Sequence, residues 1–304
     1  MKQSPKTVII VAGPTAVGKT AVAIQLAKHF KTEIISADSR QCYKELVIGV
    51  ARPSVQELEE VTHHFIGTHP IAGSIHDEIT AAGFETYALQ KVNELFNVHD
   101  VVIMTGGTGL YIKAFCEGMD TIPAIDSAIR NTIIQQYEEK GLRWLQEQVK
   151  QKDPAFYAAG EIQNPQRMMR ALEVVEATGE SILLFQKGEK VKRDFKIIKI
   201  GLDIPKEELH RNIHTRVDRM MELGLLEEVR SLLPYRHLNA LQTVGYTELF
   251  DYLDGVYSLE KAIDNIKTHT RQYAKRQLTW FRRDKELKWY HPANYKDIIS
   301  QKNL

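Results

Sequence analysis

The hydrophobic pattern of the first hundred residues alternates between short apolar runs and segments with helical spacing. Residues 7–12 form a β-branched run of the kind that a buried parallel strand needs, and residues 33–37 and 101–105 predict two further strands. Between them, residues 20–30 and 79–96 repeat apolar side chains at helical spacing. Strands that alternate with helices in this order predict an α/β core with a parallel sheet.

The pattern changes near Gly118. Residues 127–178 have helical periodicity and contain no strand candidate, with breaks at Pro154 and Pro165. The simplest interpretation is an all-helical insertion domain at residues 119–190.

A further strand is predicted at residues 195–204, where the chain rejoins the sheet. We expect everything after Lys206 to be helical, with a turn near Pro234. The core domain therefore comprises residues 1–118 and 191–304 and includes the C-terminal helices.

A phosphate-binding motif follows the first predicted strand. Residues 13–20 read Gly-Pro-Thr-Ala-Val-Gly-Lys-Thr and fit G-x-x-x-x-G-K-[ST], between a strand and a helix as the mechanism requires. Backbone N–H groups of such a loop converge on phosphate oxygens, and the helix dipole favours their negative charge. The predicted phosphate-binding residues are Gly13, Pro14, Thr15, Ala16, Val17, Gly18, Lys19 and Thr20. The fold class is therefore a P-loop NTPase-like parallel sheet flanked by helices.

Nucleotide hydrolysis is not established by this motif. Lys19 supplies positive charge and the Thr20 hydroxyl can ligate Mg²⁺. However, the strand at 101–105 ends in Thr-Gly-Gly-Thr-Gly rather than in the acidic residue that usually holds Mg²⁺. The nearest acid at a strand end is Asp38, which could ligate Mg²⁺, act as a base or cap the next helix.

Composition narrows the class of protein. The chain of 304 residues is 43% hydrophobic and 26% charged, ordinary values for a globular protein, and no apolar run approaches the ~20 residues of a membrane span. The N-terminus lacks the features of a signal peptide. The two cysteines, Cys42 and Cys116, have neither a pairing pattern nor metal-ligand spacing, which suits a reducing compartment and argues against a structural zinc site. We expect a cytoplasmic monomer without membrane association.

Positive charge is concentrated near the C-terminus, although the net charge is only +1. Between residues 267 and 288 only Asp284 and Glu286 oppose the cations. The cations are Lys267, Arg271, Lys275, Arg276, Arg282, Arg283, Lys285 and Lys288. This segment is a local basic footprint.

Several motifs together resemble the tRNA dimethylallyltransferases, in the order expected for that family and over residues 7–283. The matching segments are residues 13–20, 37–41, 106–111, 167–174, 244–249 and 271–281. The resemblance implies transfer of a dimethylallyl group from dimethylallyl diphosphate to N6 of adenine 37, beside the tRNA anticodon, which forms N6-isopentenyladenosine. The P-loop would then hold the diphosphate of an isoprenoid donor, with Mg²⁺ as the cofactor.

Catalytic roles follow from the same resemblance. Asp38 would orient the adenine amine and take its proton. Because the departing diphosphate leaves cationic character on the allylic carbon, stabilising that leaving group should dominate catalysis. The expected contributors are Lys19, Thr20 with Mg²⁺, Thr108 and Arg216. Arg219 is an alternative to Arg216.

The resemblance also implies a set of tRNA contacts around the anticodon loop and in the insertion domain. These residues are Asp38, Ser39, Arg40, Gln41, Thr108, Arg130, Gln166, Arg167, Met168, Met169, Arg170, Arg271, Lys275, Arg276, Arg282 and Arg283. Near the C-terminus, aromatic residues alternate with cations, which suits phosphate contact and base stacking. The alternative is an amphipathic helix with a solvated basic face. We expect Trp280 and Phe281 in the core and the arginines toward RNA.

Two departures from the family pattern limit what can be transferred. Val17 stands where the family often has serine, which removes a hydroxyl contact but keeps the backbone N–H groups. Residues 66–80 differ from the commoner pattern, so no role is assigned there. For His63, His64 and His69, a loop or capping role is favoured over metal binding.

Three rival functions share parts of this pattern. A free-nucleotide isopentenyltransferase would modify AMP, ADP or ATP, but needs neither the helical insertion nor the basic C-terminal helices. A small-molecule kinase would need ATP and an arginine-rich lid. A non-catalytic RNA-binding protein would have no need for Lys19, Thr20 and Asp38.

Overall fold

The computed structural model describes residues 5–71 and 79–300, which form two compact units. The first unit runs to Cys116 and resumes at Lys192, and the second is Glu117–Val191. Residues 72–78, inside the stretch that departs from the family pattern, lie outside the described residues, as do residues 1–4 and 301–304.

The first unit is built on a parallel sheet of six strands in the order β3-β2-β4-β1-β5-β6. The strands are β1 (Thr7–Ala12), β2 (Ile34–Ser36), β3 (His63–His64), β4 (Val101–Gly106), β5 (Lys196–Leu202) and β6 (Lys288–Tyr290). Every residue of β1 is buried between β4 and β5. This confirms the α/β class and explains the unbroken apolar run, because a central parallel strand is covered on both faces.

Helices of the first unit cover both faces of this sheet. In chain order the helices are α1 (Lys19–Phe30), α2 (Val55–Glu60), α3 (Ala81–Phe96), α4 (Gly109–Glu117), α5 (Ser127–Lys152), α6 (Pro154–Ala159), α7 (Pro165–Thr178), α8 (Ile182–Phe185), α9 (Lys206–Glu222), α10 (Leu225–Ser231), α11 (Tyr246–Leu253), α12 (Leu259–Phe281) and α13 (Tyr295–Ile299). Of these helices, α5 to α8 belong to the second unit. Alternate residues of β1 enter different cores: Ile10 packs with Phe84 and Phe115, and Ile9 with Leu26 and Ile213. The described helices include none that is both long and apolar enough to cross a bilayer.

The prediction that only helices follow Lys206 is wrong. β6 pairs with β5 at the edge of the sheet, with Gly201 opposite Trp289. A strand of three residues is too short to establish a period of two, so only its tertiary pairing defines it. His63 and His64 likewise form the short strand β3 rather than a loop or a cap.

The second unit is helical, and both predicted breaks are helix starts. Pro154 opens α6 after the cap Asp153, and Pro165 opens α7 after the cap Asn164. Proline is favoured there because its missing N–H would have no partner in the first turn. The core of this unit includes Leu145, Phe156, Met168 and Leu172.

Candidate active site

The phosphate-binding loop joins β1 to α1 with the backbone that the motif requires. Gly13 has φ +152° and Gly18 has φ +98°, in the region that residues with a side chain rarely adopt. A side chain at position 13 would also lie 2.8 Å from the carbonyl oxygen of Leu202. α1 begins directly after Gly18, at Lys19, so its unpaired N–H groups and dipole face the loop.

Lys19 lies in a strongly electropositive position. Its Nζ donates to the carbonyl oxygen of Pro14 at 2.7 Å. Burial, with the nearby Arg216 guanidinium, lowers the pKa of Lys19 to about 7, and Asp38 opposes the shift. Because like charges disfavour each other, a bound anion between Lys19 and Arg216 would favour the charged form of Lys19.

Arg216 approaches the loop from α9. Its Nη1 donates to the Thr15 hydroxyl at 3.2 Å, and it lines the same cavity as Lys19 and Thr20. Arg219, the alternative diphosphate ligand, is exposed and does not line that cavity. The geometry therefore favours Arg216.

One cavity of about 840 Å³ extends from this cationic end. Its walls come from the start of α1, the turn after β2, residues 49–53, α9, residues 242–248 and α12. Asp38 lines it together with Lys19, Thr20 and Arg216.

Asp38 is fixed by its own turn. Its Oδ1 accepts from the backbone N–H of Arg40 at 2.9 Å and of Gln41 at 3.2 Å. The capping role is therefore observed, although what Asp38 caps is a turn rather than a helix. Among the described residues neither bond uses Oδ2, so the carboxylate keeps an acceptor for a base role.

Thr108 supports this turn from behind. Its hydroxyl accepts from the backbone N–H of Ser39 at 3.0 Å, and its own N–H donates to the carbonyl of Ala37 at 3.2 Å. It does not line the cavity. Thr108 thus holds the turn that carries Asp38, and its predicted contribution at the leaving group stays a prediction.

Gln277 is a site residue that the sequence analysis did not single out. It is buried on α12, accepts from the backbone N–H of Thr15 at 2.8 Å and donates to the carbonyl of Gly107 at 2.9 Å. It thus joins the phosphate loop to the turn after β4. The available signal was its spacing, three residues from Ala274 and four from Phe281 on the buried face of α12.

The predicted basic surface lies on the C-terminal half of α12 and on the two residues that follow it. Lys275, Arg276, Arg282 and Arg283 are exposed, and the Arg276 guanidinium stacks 5.8 Å from the ring centroid of Tyr273. A shallow groove is lined by Lys275, Arg276, Thr279, Trp280 and Arg283. Phe281 is in the core as expected, whereas Trp280 is only half-buried.

Arg282 and Arg271 already have partners within the protein. Arg282 Nη2 lies 2.9 Å from Asp203 Oδ2. Arg271 is half-buried and donates to the Thr268 hydroxyl at 3.0 Å. Arg283 is therefore the better candidate for an external phosphate.

In the helical unit the predicted RNA contacts divide into two groups. Met168 and Met169 are core residues whose side chains pack inside the helical unit, and their predicted contact with RNA stays a prediction. Gln166 and Arg167 are exposed, and Arg167 pairs with Glu161 at 3.0 Å. Both Arg130 and Arg170 approach the buried Glu173, at 3.9 Å and 2.9 Å.

The side chains of the described residues determine which metal ions could bind here. The described part of the chain contains no cluster of three or more His, Cys, Asp or Glu that could hold a metal ion. The His63 Nδ1 bonds the Val61 carbonyl at 2.8 Å, and His64 Nε2 lies 2.5 Å from Glu33 Oε2. Mg²⁺ fits differently, since it usually takes one or two protein oxygens and completes its shell with phosphates and water. The Thr20 hydroxyl in the cavity wall suits that mode.

Comparisons with known proteins agree on one family. A model described as IPP transferase matches residues 41–284. The tRNA dimethylallyltransferase 1 of Bacteroides thetaiotaomicron is 45% identical over 298 residues, which covers 98% of this chain and 96% of that protein. The tRNA dimethylallyltransferase of Cytophaga hutchinsonii is 47% identical over 295 residues, with 97% and 96% covered.

Solved structures give the same answer. The tRNA isopentenylpyrophosphate transferase of Bacillus halodurans superposes with a TM-score of 0.70 at 32% identity, over 96% of this chain and 94% of that one. A eukaryotic dimethylallyltransferase acting on tRNA gives a TM-score of 0.71 at 28% identity, over 90% and 69%. With the phosphate loop, Asp38 and the basic helix in place, this chain belongs to the IPP transferase family, together with the tRNA dimethylallyltransferases.

Proposed function

We propose that this protein transfers a dimethylallyl group from dimethylallyl diphosphate to N6 of adenine 37 in tRNA. The observation that carries the proposal is a single cavity lined by Lys19, Thr20, Arg216 and Asp38. In the reaction, the C1–O bond of the donor breaks and diphosphate leaves with the bonding electrons. A bond forms between N6 and C1, and N6 loses one proton.

The cationic end of the cavity suits the leaving group. Lys19, Arg216 and the backbone N–H groups of the phosphate loop would bind the diphosphate and stabilise the charge that develops as it departs. Thr20 would hold Mg²⁺ through its hydroxyl, and the ion would supply further neutralisation of the phosphate oxygens. Dimethylallyl diphosphate and Mg²⁺ are thus the proposed donor and cofactor.

Asp38 is the proposed base. Its Oδ1 is held by two backbone N–H groups, so the carboxylate is oriented before the substrate arrives. The adenine amine is a weak nucleophile, and an acceptor placed against it takes the proton as the new bond forms. The target base must leave its stack to reach this position, at a cost of a few kcal/mol. Contacts between tRNA and the basic face of α12 would offset that cost.

The test offers competing acceptors to one donor. The protein is incubated with Mg²⁺, labelled dimethylallyl diphosphate and either unmodified tRNA, AMP or ATP. We expect label in tRNA alone. Label in AMP but not in tRNA would indicate a free-nucleotide isopentenyltransferase, and ATP consumption without prenyl transfer would indicate a kinase.

We also infer that the protein acts as a monomer in the cytoplasm. Cys42 and Cys116 are buried thiols rather than halves of a disulfide, which agrees with a reducing compartment. Light scattering after size exclusion should give the mass of one chain, 34.8 kDa. Twice that mass would overturn the monomer.

A further inference from the structure

A short loop at residues 47–52, here called the wall loop, forms part of the cavity. Gly49, Val50, Ala51 and Arg52 line the cavity directly. Ala51 has φ +49°, a conformation that residues with a side chain seldom adopt. Such a backbone persists only where surrounding contacts hold it.

The carboxylate of Glu228, on α10, collects several donors from one side of the wall loop. Its Oε2 accepts from the backbone N–H of Ile48 at 2.8 Å and of Val47 at 3.2 Å. Its Oε1 accepts from the backbone N–H of Gly49 at 3.0 Å and from the Tyr246 hydroxyl at 2.6 Å. Bonds to an ionised acceptor are stronger than neutral ones, so this one side chain fixes three consecutive residues of the loop.

Tyr246 packs against the wall loop beside the Glu228 carboxylate. Its side chain is fully buried, and its ring lies so close to Gly49 that an added Cβ would approach ring carbons at 2.6 Å. Burial and the Glu228 charge raise the pKa of Tyr246, so the phenol stays protonated and donates. Only glycine at position 49 permits this arrangement.

On its other side, the wall loop is hydrogen-bonded to Gln41, in the turn that carries Asp38. Gln41 Nε2 donates to the carbonyl oxygens of Val50 at 3.2 Å and Ala51 at 3.0 Å. The Gln41 backbone N–H is one of the two groups that hold Asp38 Oδ1. Glu228 and Asp38 are therefore connected through the wall loop and Gln41.

We propose that Glu228 is a positioning residue for the transfer reaction. It acts through the wall loop and Gln41 on the orientation of Asp38, and it touches neither substrate. The inference rests on the proposed function. Glu228 is expected to affect the Asp38 end of the site and not the diphosphate end. The diphosphate end depends on Lys19, Thr20 and Arg216, and among the described residues it has no bond to Glu228.

The test compares Glu228→Gln with Glu227→Gln. The glutamine side chain has only one acceptor oxygen, so it cannot accept the hydrogen bonds of all four donors, which are the three wall-loop N–H groups and the Tyr246 hydroxyl. Glu227 is the adjacent residue, exposed and paired with Arg230 on its own helix at 3.5 Å, which makes it a matched control. Rates are measured per folded molecule, with the folded fraction taken from circular dichroism at the assay temperature.

For Glu228→Gln we expect kcat to fall about tenfold to a hundredfold, as for a displaced catalytic group, with Glu227→Gln unchanged. The KM for dimethylallyl diphosphate and the Kd for inorganic diphosphate should stay within about twofold, because the phosphate end is not altered. An unchanged kcat, or a loss that falls equally on diphosphate binding, would overturn the proposal.

A second variant covers the case in which Glu228→Gln does not fold. Tyr246→Phe keeps the packed ring and the carboxylate but removes one donor, so kcat should fall about twofold to fivefold with diphosphate binding unaltered. An unchanged kcat in this variant would also overturn the proposal. Absence of transfer by the unaltered chain would overturn the proposed function and this inference with it.

Discussion

At the scale of single residues, the properties of Lys19 make diphosphate binding dependent on pH. Burial and Arg216 lower its pKa to about 7, so at pH 8 most of the free protein carries a neutral Lys19. A bound diphosphate favours the ammonium form and raises that pKa again. Binding at pH 8 should therefore take up close to one proton at Lys19, and affinity should weaken as pH rises above about 7.

Calorimetry in buffers of different ionisation enthalpy measures this uptake. The ligand also titrates, so the relevant quantity is the difference between the unaltered protein and Lys19→Met. That difference should be largest near pH 8 and small at pH 6, where Lys19 is already protonated. Equal proton uptake by the unaltered protein and Lys19→Met at pH 8 would show that Lys19 is not the group that takes up the proton.

Asp38 combines two roles that can be separated by substitution. Asn at this position can still accept from the backbone N–H groups of Arg40 and Gln41, but it cannot take a proton. Asp38→Asn should therefore lower turnover about a hundredfold or more while tRNA affinity changes little. Asp38→Ala loses the turn contacts as well and should also weaken tRNA binding. If Asp38→Asn kept its turnover, the residue would be only a cap.

At the scale of elements, α12 connects the phosphate loop to the turn after β4 through Gln277. Gln277→Ala leaves the Thr15 N–H and the Gly107 carbonyl without their partner, so we expect a loss of about 1–3 kcal/mol in the free energy of unfolding. The KM for dimethylallyl diphosphate should rise. Urea unfolding measures the first effect and initial rates the second.

Thr279→Ala is the matched control on the same helix. Thr279 is exposed, and its hydroxyl donates to the Lys275 carbonyl of its own helix at 2.9 Å, with no other bond within the described part of the chain. Thr279→Ala should leave the free energy of unfolding and the KM for dimethylallyl diphosphate nearly unchanged. A similar loss of stability in the two variants would show that Gln277 contributes no more than an ordinary helical residue.

The limits of prediction are also set at the scale of elements. β1, β4 and α1 are long enough to show their periods, so the sequence predicts them nearly to the residue. β3 and β6 have two and three residues and exist only through pairing with neighbours. The bond from Thr15 to Gln277 spans 262 residues, and that from Ile48 to Glu228 spans 180, so no local pattern reveals either.

At the scale of the whole sheet, the strand order explains why the separate motifs form one site. β2, β4 and β1 are neighbours and parallel, so their carboxyl ends lie at one edge. The phosphate loop follows β1, Asp38 follows β2 and Gly107 follows β4. Sites of open α/β sheets form at that edge. Each motif can therefore be recognised in the sequence, whereas the proximity of the motifs in the folded protein depends on the strand order.

The binding of a large polyanion by a chain of net charge +1 requires charge that is local and unpaired. Arg283 lines the groove beside Trp280, whereas Arg282 is already paired with Asp203. Arg283→Ala should weaken tRNA binding and reduce the slope of log K against log salt by about 0.7–0.9, the value for one phosphate contact. Arg282→Ala should change the slope less, because its guanidinium must first leave Asp203. Filter binding from low to moderate salt measures both slopes, with the Kd for inorganic diphosphate as the control. Equal slopes for the two variants would mean that the pair with Asp203 does not restrain Arg282.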